Sequence, residues 1–287
     1  MQLAAIIVLT FRELWAKKIV IGLFVIATLV WTMLAFALNL DIVEGSLAGL
    51  RIFGQEATPS ETTVDPDTNE QIKQLFTLER VVIEVEKGVS AIAYWAGILL
   101  ALFATSSLLP SLLAKGRVDL LLSKPISRTG LLTGHLIGVM LVMVLLAIYL
   151  FGMVWLVMSM KSGIWKFHFF VGMSIVVCMF GVMYSVVTLL GVTTRSAPLA
   201  LIVTYGLIIA SLIFSGKDQL VPQINPPWRQ VFLGFYHALP NFGEVTATVL
   251  KLTGNEAVIT WYPFLSSMLF GAVLFAAAFF FFNRRDF

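Results

Sequence analysis

Residues 115–134 read KGRVDLLLSKPISRTGLLTG, and they form the one long polar interruption between two strongly apolar runs. The run before it, 88–114, carries no charged residue, and the run after it, 131–160, carries none beyond a titratable His135. Each exceeds the roughly 20 apolar residues needed to cross a bilayer core. The interruption therefore reads as a short loop joining two membrane spans. It holds Lys115, Arg117, Lys124 and Arg128 against a single acid, Asp119. Short loops rich in Lys and Arg stay on the cytoplasmic side, which makes this a cationic, leucine-bearing cytoplasmic hairpin. Pro125 breaks it and Ser127 is placed to start the helix that follows.

The whole chain has the same character. Of its 287 residues, 59% are hydrophobic and 12% charged, with a mean hydropathy of +0.94. Soluble domains carry about 25% charged residues, so lipid must solvate most of this apolar surface. A net charge of +3 is too small to imply a nucleic-acid partner. The single Cys178 lies inside an apolar run, which excludes an intramolecular disulfide. Arg12, Glu13, Lys17 and Lys18 interrupt the first apolar stretch, so a cleavable signal peptide is not expected.

Read in order, residues 1–18 predict an interfacial helix, with Trp15 at headgroup depth beside the pair Lys17-Lys18. Spans are expected over 19–40, 89–114, 131–160, 169–194, 197–215 and 259–282. Residues 41–88 form the largest polar insertion. Within it, 58–68 has the composition of a mobile loop, while Ile72, Leu75, Val82, Val85 and Val89 predict an amphipathic helix from Asn69 that rises into the second span. Asp65, Asp67 and Asn69 imitate the start of a calcium loop, but Glu70 stands where its glycine and Phe76 where its final glutamate would be. Gly130, Gly134 and Gly138 fall four apart and predict close approach of another helix. His135, on the same turn, is expected to meet a headgroup or loop. The segment 217–258 reads as a second outer loop whose stretches 231–238 and 242–252, broken by Pro240, are re-entrant or interfacial helices.

Charge sorts this topology. The segments placed inside hold ten basic and three acidic residues, and those placed outside hold nine and thirteen. Six spans with both termini cytoplasmic is the arrangement that the positive-inside rule selects.

Catalytic constellations are absent from the sequence. It contains no G-x-x-x-x-G-K-[ST] loop, no H-E-x-x-H and no paired-cysteine metal site, and its three histidines lie on separate segments. The spans hold almost no charge of the kind that ion-coupled transporters need. Any energy source must then come from another polypeptide. Leu120-Leu121-Leu122 beside basic residues offers an apolar ridge with a charged rim, suited to docking a soluble partner. The same composition also suits a helix lying on the membrane surface.

The run Gly116-Arg117-Val118-Asp119-Leu120-Leu121-Leu122-Ser123-Lys124-Pro125-Ile126-Ser127-Arg128, followed by Leu131-Leu132-Thr133-Gly134, resembles a segment of the permease subunits of ATP-binding-cassette exporters. More narrowly, it is similar to the second permease family, called ABC-2. The resemblance extends to the N-terminal elbow 1–18, the six spans, Leu239-Pro240-Asn241 in the outer loop and the Arg284-Arg285-Asp286-Phe287 end. It departs at Ala114-Lys115, where the family often has Glu nearby, and at His135, where Lys is common. The resemblance implies a single all-α permease domain over 1–287, with 115–130 as the coupling loop. Its docking residues would be Arg117, Asp119, Leu120, Leu121, Leu122, Ser123, Pro125 and Arg128. It further implies no catalysis in this chain and no cofactor, with ATP and magnesium held by a separate nucleotide-binding subunit. A second permease chain, identical or closely homologous, and an extracytoplasmic accessory protein are the other partners expected. The location expected is the cytoplasmic (inner) membrane. Two other classes remain open at this point, a membrane scaffold that recruits an ATPase and a secondary transporter or channel.

Overall fold

The computed structural model describes residues 2–16, 18–43, 46–57, 60–64, 71–75, 77–113, 127–223 and 225–284. Helix α1 (Gln2–Ala16) stops before α2 (Ile19–Ala37) because Lys18 adopts a left-handed conformation, with φ 56°. A helix cannot continue through such a residue, so the elbow and the first span are separate elements. The remaining long helices are α3 (Leu78–Leu112), α4 (Arg128–Ser162), α5 (His168–Thr194), α6 (Ala197–Ser215) and α9 (Tyr262–Arg284). Together with α2 they give, among the described residues, six helices long and apolar enough to cross a membrane. At 35 residues each, α3 and α4 run to about 52 Å, well beyond a bilayer core of roughly 30 Å.

The insertion between α2 and α3 differs from the helical reading of its second half. Strands β1 (Leu38–Val43), β2 (Ser46–Ile52) and β3 (Gln55–Ala57) form a small antiparallel sheet. Its β2–β3 turn uses Phe53 and Gly54, both at positive φ, the backbone that a two-residue hairpin turn requires. Strands β4 (Ser60–Val64) and β5 (Gln71–Leu75) form a second hairpin, pairing Ser60 with Leu75 and Val64 with Gln71. Part of the expected mobile loop is therefore a strand. The expected helix from Asn69 is corrected too: Ile72 and Leu75 belong to β5, and the helix begins at Leu78, where the Thr77 side chain accepts from Arg80 N at 3.3 Å. The residues of the weak calcium motif, Asp65, Asp67 and Asn69, lie outside the described residues.

The core gathers around α5. Of its most apolar 18-residue window, 78% is buried, against 11% for α2. Glycines let neighbours approach it: a Cβ at Gly172 would lie 2.3 Å from Thr253 Oγ1, and one at Gly271 of α9 would lie 3.1 Å from Val182 Cα. Burial against lipid brings no hydrophobic gain between spans, so such close van der Waals contact is what holds the helices together. Some hydroxyls within the spans are satisfied on their own helices, as in Thr105 to Ala101 O at 2.7 Å and Thr188 to Tyr184 O at 2.8 Å, and others join two elements, as in Tyr205 to Leu99 O at 2.8 Å.

Helices α7 (Pro226–Ala238) and α8 (Phe242–Thr253) follow α6 at the end of the bundle that carries the insertion. They behave differently. Most of α7 is exposed, including Trp228 and Phe235, whereas Phe242, Val245 and Val249 of α8 are fully buried. Helix α3 meets α8 through a π-turn at Ala93–Gly97. There Tyr94 donates to Phe242 O at 2.6 Å, and the Tyr94 and Trp95 rings both pack on Phe242.

Candidate functional site

At the opposite end of the bundle, α3 finishes at Leu112 and α4 starts at Arg128. Residues 114–126 between them lie outside the described residues. The two bases of this loop do not hang free. Leu109, Leu112 and Leu113 at the end of α3 join Leu131 and Leu132 of α4 in one apolar cluster, completed by Ile6 of α1, Val192 of α5 and Phe282 of α9. None of the eight is more than 3% exposed. Gly191 makes the contact with α5 tight, since a Cβ there would sit 3.1 Å from Leu109 Cδ2. The start of α4 is capped by Ser127, which accepts from Gly130 N at 3.1 Å.

Polar contacts tie the same elements at their rim. Ser111 Oγ lies 3.0 Å from Glu13 Oε1 of α1 and 2.7 Å from Leu108 O, so its single proton serves one acceptor at a time. Arg128 Nη1 donates to Asn283 O near the end of α9 at 3.3 Å. Arg284 lies 4.2 Å from the centre of the Phe280 ring.

The glycine stripe on α4 is the seat of the elbow helix. A Cβ at Gly134 would lie 2.8 Å from Ile6 Cγ2, and one at Gly138 would lie 2.8 Å from Thr10 Cβ. Ile6, Thr10 and Leu14 are the buried face of α1, while Val8, Leu9 and Trp15 are exposed. Gly130 plays a different part, because a Cβ there would meet only Ser127 Oγ of its own cap.

Of the residues expected at the site, Arg117, Asp119, Leu120, Leu121, Leu122, Ser123 and Pro125 lie outside the described residues. Arg128 lies at the rim of that apolar cluster, and Gly134 and Gly138 seat the elbow helix on α4. His135 does not meet a headgroup or a loop. It points into the bundle, fully buried, with Nε2 3.1 Å from the Tyr184 hydroxyl of α5. Two helical turns separate it from Arg128, which is depth enough to carry it past the rim. Sequence reasoning missed Glu13, Ser111 and the three leucines that end α3. For Glu13 a signal existed, since it is the only acid among the first 40 residues. For the leucines there was none, because apolar residues fill every span.

This arrangement is built of close packing contacts. Among the described residues no group of three His, Cys, Asp or Glu side chains could hold a metal ion. What it can carry is displacement. A force on either base of the loop moves a close-packed cluster, and packed apolar contacts transmit strain instead of absorbing it. A family model described as ABC-2 family transporter protein matches residues 4–287 of the chain. No curated protein matches it.

Proposed function

The chain belongs to the ABC-2 transporter family, and from that membership we propose that it couples ATP hydrolysis by a separate subunit to export of a substrate. It is an integral, multi-pass membrane protein and the membrane permease of an ABC transporter. In this proposal the nucleotide-binding subunit grips 115–130 from the cytoplasm. Arg117, Asp119, Leu120, Leu121, Leu122, Ser123, Pro125 and Arg128 provide the grip, and ATP and magnesium stay on the partner. The permease works beside a second permease chain in the cytoplasmic membrane, with both termini inside and the insertion outside.

The observation that carries this reading is the buried cluster at the bases of the loop. Five helices (α1, α3, α4, α5 and α9) contribute to it, so a partner pushing on the loop would move the central helix α5 as well. A scaffold that merely recruits an ATPase has no need of such a linkage.

The test is a reconstituted complex with the cognate ATPase subunit. Arg128→Glu is expected to abolish permease-stimulated ATP turnover while membrane insertion stays normal, and Arg128→Lys is expected to keep a substantial part of it. Wild-type turnover in the Arg128→Glu complex would count against docking through this loop.

A further inference from the structure

At the insertion end a cavity of about 520 Å³ opens between the end of α6, one face of α8 and the start of α9. That volume lies in the range of small-molecule sites, roughly 300–1,000 Å³. Its polar lining comes from Ser215, Lys217, Glu244, Thr248, Lys251 and Thr260. The charges in it are unequally engaged. Lys217 Nζ lies 2.6 Å from the Tyr236 hydroxyl and 3.2 Å from Glu244 Oε1, so that pair neutralises itself. Tyr236 also donates to Glu244 Oε2 at 2.8 Å. Lys251 stands two turns beyond Glu244 on the same face of α8, half-buried, and hydrogen-bonds to no described side chain. The acid that feels its charge, Glu256, is taken by Lys87 at 2.6 Å, which holds that carboxyl below its usual range. The lining also has an apolar edge: Val258 and Ile259 belong to it, Ile259 is 87% exposed, and Trp261 and Tyr262 follow in the chain, an aromatic pair of the kind expected at a membrane interface.

We infer that this cavity binds a phosphate ester, with Lys251 as its charged contact and the hydroxyls of Thr248 and Thr260 around it, the Ser215 proton being already donated to Leu212 O. An ammonium that is not tied up inside the protein and sits among hydroxyls is matched by an oxyanion. The apolar edge at Val258 and Ile259 suits the glycerol and acyl portion of a phospholipid, and the shared chemistry with a soluble ester is the phosphate. The assignment to the outer leaflet rests on the topology proposed above. The binding itself does not.

The experiment is native mass spectrometry of the full chain in detergent, without any ATPase, so failure of the permease reading leaves it unaffected. The probes are phosphatidylglycerol, diacylglycerol lacking phosphate, and glycerol 3-phosphate lacking chains. One phosphatidylglycerol is expected to be retained in preference to diacylglycerol. Lys251→Gln is expected to weaken that binding about tenfold, as loss of a charge-assisted bond does, and Lys251→Arg to restore it. If glycerol 3-phosphate binds equally well and depends on Lys251, the site stands and takes soluble esters too. Equal retention of diacylglycerol, or unchanged binding in Lys251→Gln with an unaltered unfolding temperature, overturns the inference.

Discussion

A glycine does its work here only where something occupies the space that its missing side chain leaves. Gly134, Gly138 and Gly152 sit on the same helix, α4, and share the same backbone conformation. Methyl groups at the first two would strike Ile6 and Thr10, whereas one at Gly152 meets nothing within 4 Å. Overpacking a close contact costs about 1–3 kcal/mol, while Ala in place of Gly on an open helix face is neutral or favourable. Gly134→Ala and Gly138→Ala are therefore expected to lower the thermal unfolding midpoint of the purified protein, and Gly152→Ala to leave or raise it. Equal effects at all three positions would remove the elbow from the stripe. The stripe itself was legible in the residues as a small-xxx-small pattern. Its partner was not, because α1 is short and apolar on both faces: Ile6 and Leu14 are buried while Val8 and Leu9 are exposed. The same limit applied to His135. Its depth along α4 could be counted from Arg128, but the direction of its side chain depended on where α5 lies.

Elements were readable to the extent that charge punctuates them. Lys18, Asp41, Lys161, Arg195 and Lys217 each stand at or near a span boundary, and the six apolar helices lie between such residues. The two ribbons of the insertion were not readable, since pairing of Ser60–Val64 with Gln71–Leu75 leaves no local periodicity. Nor was the contrast between α7 and α8, whose apolar content is similar while only α8 is buried in the bundle. One boundary charge does more than mark an edge. Lys161, in the last turn of α4, donates to the carbonyls of Ala35 and Leu38 at the end of α2. Those carbonyls are the acceptors that a helix terminus leaves without partners, and α2 has few other buried residues to hold it. Hydrogen bonds from a charged donor contribute about 1.5–3 kcal/mol. Lys161→Met is expected to destabilise the protein by about that amount in equilibrium unfolding, with Lys161→Arg retaining most of the stability. An unchanged free energy in Lys161→Met would show that α2 is held by its apolar contacts alone.

At the scale of the whole molecule, two ends of one bundle are built for different tasks. One end gathers the bases of the 114–126 loop, the elbow and the ends of α5 and α9 into a dry cluster. The other carries the ribbons, the buried α8 and a polar cavity. The proposed coupling needs the first end in the cytoplasm, which is the side that the positive-inside rule expects for the dense Lys and Arg residues of 115–128. The alternation of helix directions makes this a single choice: fixing the side of one connection fixes all the others. Thr129 is exposed at the first end and Ala257 at the second, so each can report its side once Cys178 is replaced by Ser. A membrane-impermeant maleimide added to intact cells is expected to label Ala257→Cys and to reach Thr129→Cys only after permeabilisation. The result must be reciprocal. Labelling of Thr129→Cys from outside would put the loop beyond the reach of any cytoplasmic ATPase and would leave the buried cluster at its base without a source of force.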